Sequence, residues 1–316
     1  MNRKLHLILA FMAATLFVGI MAVPSMAATV VEGPTPIFEG AATADNDLTM
    51  YNDKIALSFA VGTNNYWNMT RGSVLDIGIN DGQNNFKQDL TNDSEFLLDL
   101  WTSTGSYKGE NLLTDVDAKY SVDGDTAKVV MKTRYWVADA DKNGKDDEKE
   151  YGTVQKPLNV TTTYTLKDGD SFVTMVTTVE NPADNKVTYK NMYSGYSIST
   201  NAASMYGPFG FYPEVKTTGI AVGANEKVQE RFGEFVATYS DSYTASVQMD
   251  DADSYKGSSG YKDVYKLRNI APGHTEKYTG ELLVSDKSET ASIISRYIAR
   301  ENIKDASKLS GTVTDD

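Results

Sequence analysis

Two Asp-Gly steps, each set between strand-like segments, constrain this chain more than any other feature. Residues 118–122 and 126–137 flank Asp123-Gly124-Asp125, and residues 158–166 and 171–179 flank the turn at 167–170. An Asp-Gly step in this setting is typical of a tight β-hairpin, because glycine readily adopts the positive φ that such turns need. The two hairpins predict an antiparallel sheet.

The rest of the chain continues the same pattern of short strand-like segments separated by turn residues. The further predicted strands are 48–51, 55–61, 72–79, 187–199, 219–223, 234–239, 242–249, 264–267 and 275–285. Segment 94–101 fits either a helix or a buried strand, because its apolar run is too short to show a period. No helices alternate with these strands, which favours an all-β fold: a large antiparallel two-sheet sandwich.

One helix is predicted, near the C-terminal end. Ser288 can cap it, and Ile293, Tyr297 and Ile298 lie on one apolar face. The expected organisation is therefore a signal peptide, a leader segment, a β-sandwich domain, a helical linker and the stub of a further β-domain. These span residues 1–27, 28–47, 48–285, 286–304 and 305–316.

The first 27 residues have the pattern of a secretory signal. Arg3 and Lys4 precede an apolar run at 5–23, and Ser25-Met26-Ala27 forms a small-x-small cleavage site. A signal anchor is the alternative, because the apolar run approaches spanning length. The signal predicts a secreted or cell-envelope protein of a bacterium, with no membrane insertion once the signal is removed.

Charge and cysteine content exclude several classes of function. Loss of Arg3 and Lys4 with the signal takes the formal net charge from -13 to -15. An acidic surface repels nucleic acid and anionic membranes, so neither is an expected partner. The chain contains no cysteine, which rules out disulfides, thiolate catalysis and thiolate metal sites.

The most specific motif is a calcium-loop pattern at residues 139–150. Hard oxygen ligands at alternate positions around a central glycine suit Ca²⁺, which takes six to eight oxygens. The predicted ligands are Asp139, Asp141, Asn143, the backbone carbonyl of Lys145, Asp147 and Glu150. The alternative is a solvated acidic hairpin tip, since the same residue types favour exposed turns.

The flanks of this loop argue against an EF-hand pair. They are strand-like, and Asp146 stands where a paired loop carries an apolar residue. The pattern therefore predicts one structural calcium loop between two strands.

Loop aromatics are the candidates for ligand binding. Aromatic rings pack against the C–H face of a sugar while neighbouring polar groups bind its hydroxyls. The predicted carbohydrate-binding residues are Tyr66, Trp67, Tyr206 and Tyr212. The alternative is that these rings pack into the core.

No catalytic residue is assigned from the sequence. His274 follows Pro272-Gly273 and is interpreted as a surface-loop histidine. The acidic run at 250–253 is interpreted as a turn rather than as a carboxylate pair for glycoside hydrolysis.

Three stretches resemble the galactose-mutarotase-like supersandwich over residues 48–285. They are YNDKIALSFA at 51–60 with GSVLDIGI at 72–79, the block TTTYTLKDGDSFVTMVTTVENPADNKVTY at 161–189, and APGHTEKYTGELLV at 271–284. The resemblance implies a two-sheet antiparallel sandwich. It also implies a catalytic histidine pair with a glutamate, but His274 is the only histidine after the signal, so the epimerase activity is not carried over.

The last eight residues, LSGTVTDD, resemble the first strand of a carboxypeptidase regulatory-like domain. This second resemblance implies that a further β-module starts at this point.

Three function hypotheses follow. The first is a secreted non-catalytic module that binds carbohydrate or a cell-surface protein and carries one structural Ca²⁺. The second is a carbohydrate-active enzyme of lyase, hydrolase or epimerase type, and the third is a structural surface or assembly module. A fold alone does not select among them.

The calcium loop predicts a specific thermal response. Millimolar Ca²⁺, the affinity range of extracellular calcium modules, is expected to raise the melting temperature. The double variant Asp141→Ala/Glu150→Ala, which removes two ligands, is expected to lose that rise. An equal rise in the variant and the parent protein, measured by differential scanning calorimetry, would contradict the site.

Overall fold

The fold consists of seventeen strands and one helix in the part of the chain that the structure describes. The structure is a computed structural model, and it describes residues 27–63, 72, 74–87, 89–90, 96–102, 112–136, 156–199, 204–207, 210–211, 235–239, 243–250, 252, 254–257, 261–287, 291–300, 302 and 304. The first nine strands are β1 (Thr29–Glu32), β2 (Leu48–Tyr51), β3 (Ile55–Phe59), β4 (Val74–Ile79), β5 (Phe96–Thr102), β6 (Leu112–Asp123), β7 (Thr126–Trp136), β8 (Leu158–Lys167) and β9 (Phe172–Glu180). The others are β10 (Tyr189–Ser199), β11 (Ser204–Gly207), β12 (Gly210–Phe211), β13 (Phe235–Tyr239), β14 (Thr244–Met249), β15 (Ser254–Gly257), β16 (Tyr261–Ile270) and β17 (Thr275–Ser285), followed by helix α1 (Ala291–Arg300).

These strands form two sheets. Sheet 1 has the order β1-β2-β3-β4-β5-β10-β16-β15, and sheet 2 has the order β12-β11-β13-β14-β17-β9-β8-β7-β6. Neighbouring strands pair antiparallel throughout. The all-β, antiparallel two-sheet sandwich predicted from the sequence is confirmed, including the short helix after the last strand.

Both Asp-Gly hairpins form as predicted. Gly124 joins β6 to β7 with a φ of 59°, and Gly169 joins β8 to β9 with a φ of 69°. Segment 94–101, which the sequence left between helix and strand, contains strand β5. Tyr206, predicted to be a loop aromatic, lies instead on strand β11, which pairs with β12 so that Tyr206 is opposite Phe211.

The main core lies between the inner faces of the two sheets. Strand β8 shows the principle, since its buried residues alternate with half-buried or exposed ones. Leu158, Val160 and Tyr164 point inward and are buried, whereas Thr161, Thr163 and Thr165 lie on the outer face. Burial of these apolar side chains supplies the main stabilisation of the sandwich.

Tyr196 links the two sheets at the centre of this core. It belongs to β10 in sheet 1, and its hydroxyl lies 3.0 Å from Oγ1 of Thr177 on β9 in sheet 2. Its ring meets the Tyr278 ring edge to face at a centroid distance of 5.4 Å. A Cβ on Gly280 would lie 2.5 Å from the Tyr196 ring, so only glycine leaves room for it at that position.

A segment that precedes β2 covers one half of the outer face of sheet 1. Ile37 packs there with Ala56 and Phe86, and Ala42 packs with Leu75. The cover is held by hydrogen bonds as well as by burial of these side chains, and two buried carboxylates accept most of them.

Asp76 on β4 and Asp47 before β2 are these two carboxylates. The backbone N–H groups of Ala41 and Ala42 donate to Asp76 at 2.6 and 3.1 Å. Oδ1 of Asp47 accepts the N–H groups of residues 61, 62 and 63 at 2.8, 2.8 and 3.1 Å. Burial raises the pKa of the Asp76 carboxyl, and its hydrogen bonds oppose that rise. The hydrogen-bond donors to Asp76 and Asp47 are all backbone N–H or hydroxyl groups of the protein. Both carboxylates therefore have a structural role.

Helix α1 covers part of the outer face of sheet 2. Ile293 and Tyr297 are buried beneath it, on the apolar face that the sequence predicts. Arg296 donates from Nε and Nη2 to the Glu281 carboxylate of β17 at 2.8 and 2.5 Å, and its guanidinium lies 3.5 Å from the centre of the Phe172 ring. This two-point pairing fixes the orientation of the helix on the sheet.

Asn181 joins the turn after β9 to both sheets. Its Nδ2 donates to the carbonyls of Val187 and Ile270 at 2.9 and 2.8 Å, and its Oδ1 accepts from Asn185 at 2.8 Å. The side chain is fully buried. It therefore satisfies carbonyl groups that water does not reach.

Replacement of this asparagine is expected to destabilise the sandwich. Asn181→Ala leaves two buried carbonyls without their donor, which costs about 3 kcal/mol of the free energy of unfolding. The matched control is Asn159→Ala, an exposed side chain near the start of β8, with an expected change below about 0.5 kcal/mol. Urea unfolding measures both, and equal midpoints for the two variants would refute the assigned role of Asn181.

Candidate functional site

The residues singled out from the sequence lie mostly outside the described part of the chain. This applies to all six predicted calcium ligands, Asp139, Asp141, Asn143, Lys145, Asp147 and Glu150, and to Tyr66, Trp67 and Tyr212. Tyr206 lies on β11 at one end of sheet 2, with Phe211 and Ala237 as its strand neighbours. Within the described ranges, no group of three or more acidic, histidine or cysteine residues could hold a metal ion.

His274, interpreted as a surface-loop histidine, does lie in the turn before β17 and is 54% exposed. Its Nε2 lies 2.9 Å from Oε1 of Glu276, and Nη1 of Arg268 donates to Oε2 of the same carboxylate at 3.0 Å. Arg268 belongs to sheet 1 and Glu276 to sheet 2. The ion pair therefore joins the two sheets at this end of the sandwich, and the histidine extends it to the surface.

Two core tyrosines are unsuited to act as bases. Burial raises the pKa of Tyr164 and of Tyr196 above the ordinary value, because the charged form is poorly solvated in the core. Both hydroxyls stay protonated at neutral pH. Tyr196 serves as an inter-sheet link and not as an acid–base group.

The outer face of sheet 1 has two halves of different character. The half formed by β2, β3 and β4 lies beneath the covering segment described above. The half formed by β5, β10, β16 and β15 carries Leu267, which is 46% exposed. This second half reaches solvent at the position of Leu267.

The strand register places aromatic residues side by side on that second half. In one row across the strands, Trp101 on β5 is opposite Tyr193 on β10, which is opposite Leu267 on β16. In the next row on the same face, Asp99 is opposite Gly195, which is opposite Tyr265. We call these two rows the aromatic face.

Alternation along the strands defines the side of the sheet on which these rows lie. Met192 and Tyr196 on β10, and Val264 and Ile270 on β16, are fully buried in the core between the sheets. The intervening positions, which include Tyr193, Tyr265 and Leu267, therefore belong to the outer face.

Gly195 draws β10 and β16 together at the centre of the aromatic face. A Cβ at this position would lie 2.0 Å from the Val264 carbonyl oxygen and 2.7 Å from the Cα of Tyr265. Only glycine permits this approach. Tyr265 is half-buried beside it.

The signal for the aromatic face in the sequence is weak. Trp101 and Asp99 alternate with apolar residues, but the helix-or-strand ambiguity of that segment hid the pattern. Tyr193, Tyr265 and Leu267 stand on strands distant in sequence, so only the sheet order shows that they are neighbours.

No protein-family model matches the chain, and a search of curated proteins found no match either. Solved structures do resemble it. An α-mannosidase from Enterococcus faecalis V583 is 14% identical with a TM-score of 0.50, over 86% of this chain and 32% of that chain. A glycosyl hydrolase family 38 protein from Enterococcus faecalis is 12% identical with a TM-score of 0.51, over 86% of this chain and 33% of that chain.

A third structure resembles the chain over nearly its whole length. It is a Klebsiella pneumoniae protein described as an aldose 1-epimerase, 9% identical with a TM-score of 0.45, over 86% of this chain and 88% of that chain.

These likenesses concern the fold. The chain spans about one third of the length of the two Enterococcus proteins. The likeness to these two proteins, together with the two-sheet order, confirms the large antiparallel two-sheet sandwich that the sequence resemblance implies. No helix in the described ranges is long and apolar enough to cross a membrane.

Proposed function

We propose that the protein is a carbohydrate-binding β-sandwich module and that the aromatic face is its binding surface. The observation that carries the proposal is the row formed by Trp101, Tyr193 and Leu267, beside Tyr265 and Asp99. Aromatic residues and an aspartate at neighbouring register positions of one sheet face are the residue types that bind the C–H face and the hydroxyls of a sugar.

The dimensions of a sheet suit an extended ligand. Neighbouring strands are about 4.8 Å apart, so a row across three strands spans roughly 10 Å, the scale of two sugar rings. Such a surface fits an oligosaccharide that lies across the strands.

The fold likeness supports the ligand class. The two Enterococcus proteins are described as an α-mannosidase and a glycosyl hydrolase family 38 protein, and this chain is similar to about one third of each. A match to only one third of each protein is consistent with an accessory module that acts together with a carbohydrate-processing enzyme. Export to the cell envelope and a structural Ca²⁺ at 139–150 remain parts of the proposal.

The non-catalytic part of the proposal rests on the site chemistry. The Nε2 of His274 faces Glu276, whose second oxygen accepts from Arg268, so this carboxylate belongs to an ion pair between the sheets. The aromatic face carries Asp99 without a described histidine or glutamate in its two rows. These observations favour binding over proton transfer.

Glycan binding tests the proposal directly. The protein is applied to a glycan array, and the dissociation constant of the best ligand is then measured by calorimetry. Trp101→Ala and Tyr265→Ala are each expected to weaken binding about tenfold, which is the loss of about 1.4 kcal/mol of stacking and burial.

Two control variants make the test specific. Phe38→Ala removes a ring that is 62% exposed but lies outside the aromatic face, so it is expected to leave binding unchanged. Trp67→Ala tests the loop platform predicted from the sequence. Binding that is lost in Trp67→Ala but kept in Trp101→Ala and Tyr265→Ala would refute the aromatic face, and sugar release from a polysaccharide would refute the non-catalytic role.

A further inference from the structure

Strand β6 forms one edge of sheet 2 and is unusually long for an edge strand. It runs for 12 residues, and β7 is its only strand neighbour in the described part of the chain. A free edge presents N–H and C=O groups that can pair with another strand.

Two apolar side chains near the end of this edge strand remain exposed. Tyr120 and Val122 are each 47% exposed. Their register partners on β7, Val129 and Ala127, are fully buried in the core. Tyr120 and Val122 therefore lie on the inner face of the sheet, at a point where the core does not cover them.

We propose that β6 pairs antiparallel with β6 of a second copy of this chain, about a twofold axis that passes through Ser121. An axis perpendicular to the sheet keeps the inner faces of both copies on the same side, so residues equally distant from Ser121 become direct neighbours. Tyr120 then lies opposite Val122 of the partner subunit, and Lys119 lies opposite Asp123 of the partner subunit. Each pair occurs twice.

The side chains select this register. Aromatic–aliphatic and opposite-charge pairs across strands are both stabilising, whereas like charges placed directly opposite are destabilising. An axis through Lys119 sets the two lysines against each other, and an axis through Tyr120 sets Asp117 against Asp123 of the partner subunit.

An axis through Ala118 is another alternative. It pairs Lys119 with the partner's Asp117, but it places Tyr120 and Val122 opposite the segment between Thr114 and Asp117, where the register with β7 shifts. The axis through Ser121 pairs residues 119–123, within the regular part of β6, and Asp117 comes level only with Asp125 of the partner subunit, which lies in the turn beyond the strand. It also covers both exposed apolar side chains.

The pairing joins two nine-stranded sheets into one continuous sheet of eighteen strands. The aromatic face lies on the other sheet of each copy, so the dimer leaves both of these surfaces open.

A charge exchange tests the register. Analytical ultracentrifugation of the protein over about 1–300 µM is expected to show a reversible dimer. Lys119→Asp or Asp123→Lys alone places two like-charged pairs at the interface and is expected to raise the dissociation constant about tenfold or more. The double variant Lys119→Asp/Asp123→Lys restores both opposite-charge pairs and is expected to return the constant to within about threefold of the parent value.

The same series can overturn the proposal. A protein that stays monomeric over the whole range would contradict it. So would single variants that dimerise like the parent protein, or a double variant that dimerises no better than the single ones.

Disulfide trapping provides a second and independent measurement. The chain has no cysteine, so an introduced one has only its own copy as a partner. In Ser121→Cys the two thiols meet on the axis, where Cα atoms about 5 Å apart lie within disulfide range. Oxidation is expected to give a covalent dimer.

Asp117→Cys is the matched control on the same strand. It stands four residues from the axis, so its Cα lies about 26 Å from its copy in the partner subunit. Little covalent dimer is expected from this variant. Equal trapping of the two variants, or no trapping of Ser121→Cys, would refute the pairing.

Discussion

The contact of Tyr196 with sheet 2 is the interaction on which the sandwich most depends. Its hydroxyl binds Thr177, its ring meets Tyr278, and its ring edge fills the space that Gly280 leaves open. A buried hydroxyl that is hydrogen-bonded avoids the cost of an unpaired polar group. One side chain thus contacts both β9 and β17 across the core and aligns β10 with them. The aromatic face lies on the reverse side of the same strand, β10, and its geometry follows from that alignment.

Each sheet of a sandwich has an outer face that must be covered or solvated. In this chain the two outer faces are covered by different elements. Buried carboxylates hold a covering segment over half of sheet 1. On sheet 2, an arginine–glutamate pair holds helix α1 over the central strands. In the described part of the chain, the β6 edge and the half of sheet 1 that carries Leu267 lie outside these two covers, and both proposals concern them. Neither surface is needed to close the core, so both are free to serve binding.

The fold was more predictable than the site, for a physical reason. Hairpins are encoded locally, and Gly124 and Gly169 sit at the positive-φ positions that their turns require. Along β8, likewise, the alternation of residue types predicts which side chains are buried. The aromatic face, in contrast, depends on the order of β5, β10 and β16, which are far apart in the chain. Nothing near Trp101 indicates that Tyr193 and Leu267 lie beside it, and the most specific local motif, at 139–150, lies outside the described residues.

The placement of helix α1 has a mechanical consequence. The helix follows β17, which lies between β14 and β9 near the middle of sheet 2, and Arg296 ties it back to Glu281 on that strand. Tension applied through residues after the helix would first act on the ion pair between Arg296 and Glu281. It would then load β17 in shear against both neighbours, so that many hydrogen bonds resist together. Tension applied through residues before β1 would instead act on an edge strand that, among the described strands, pairs only with β2. The domain is therefore built to resist pulling more strongly from its C-terminal side.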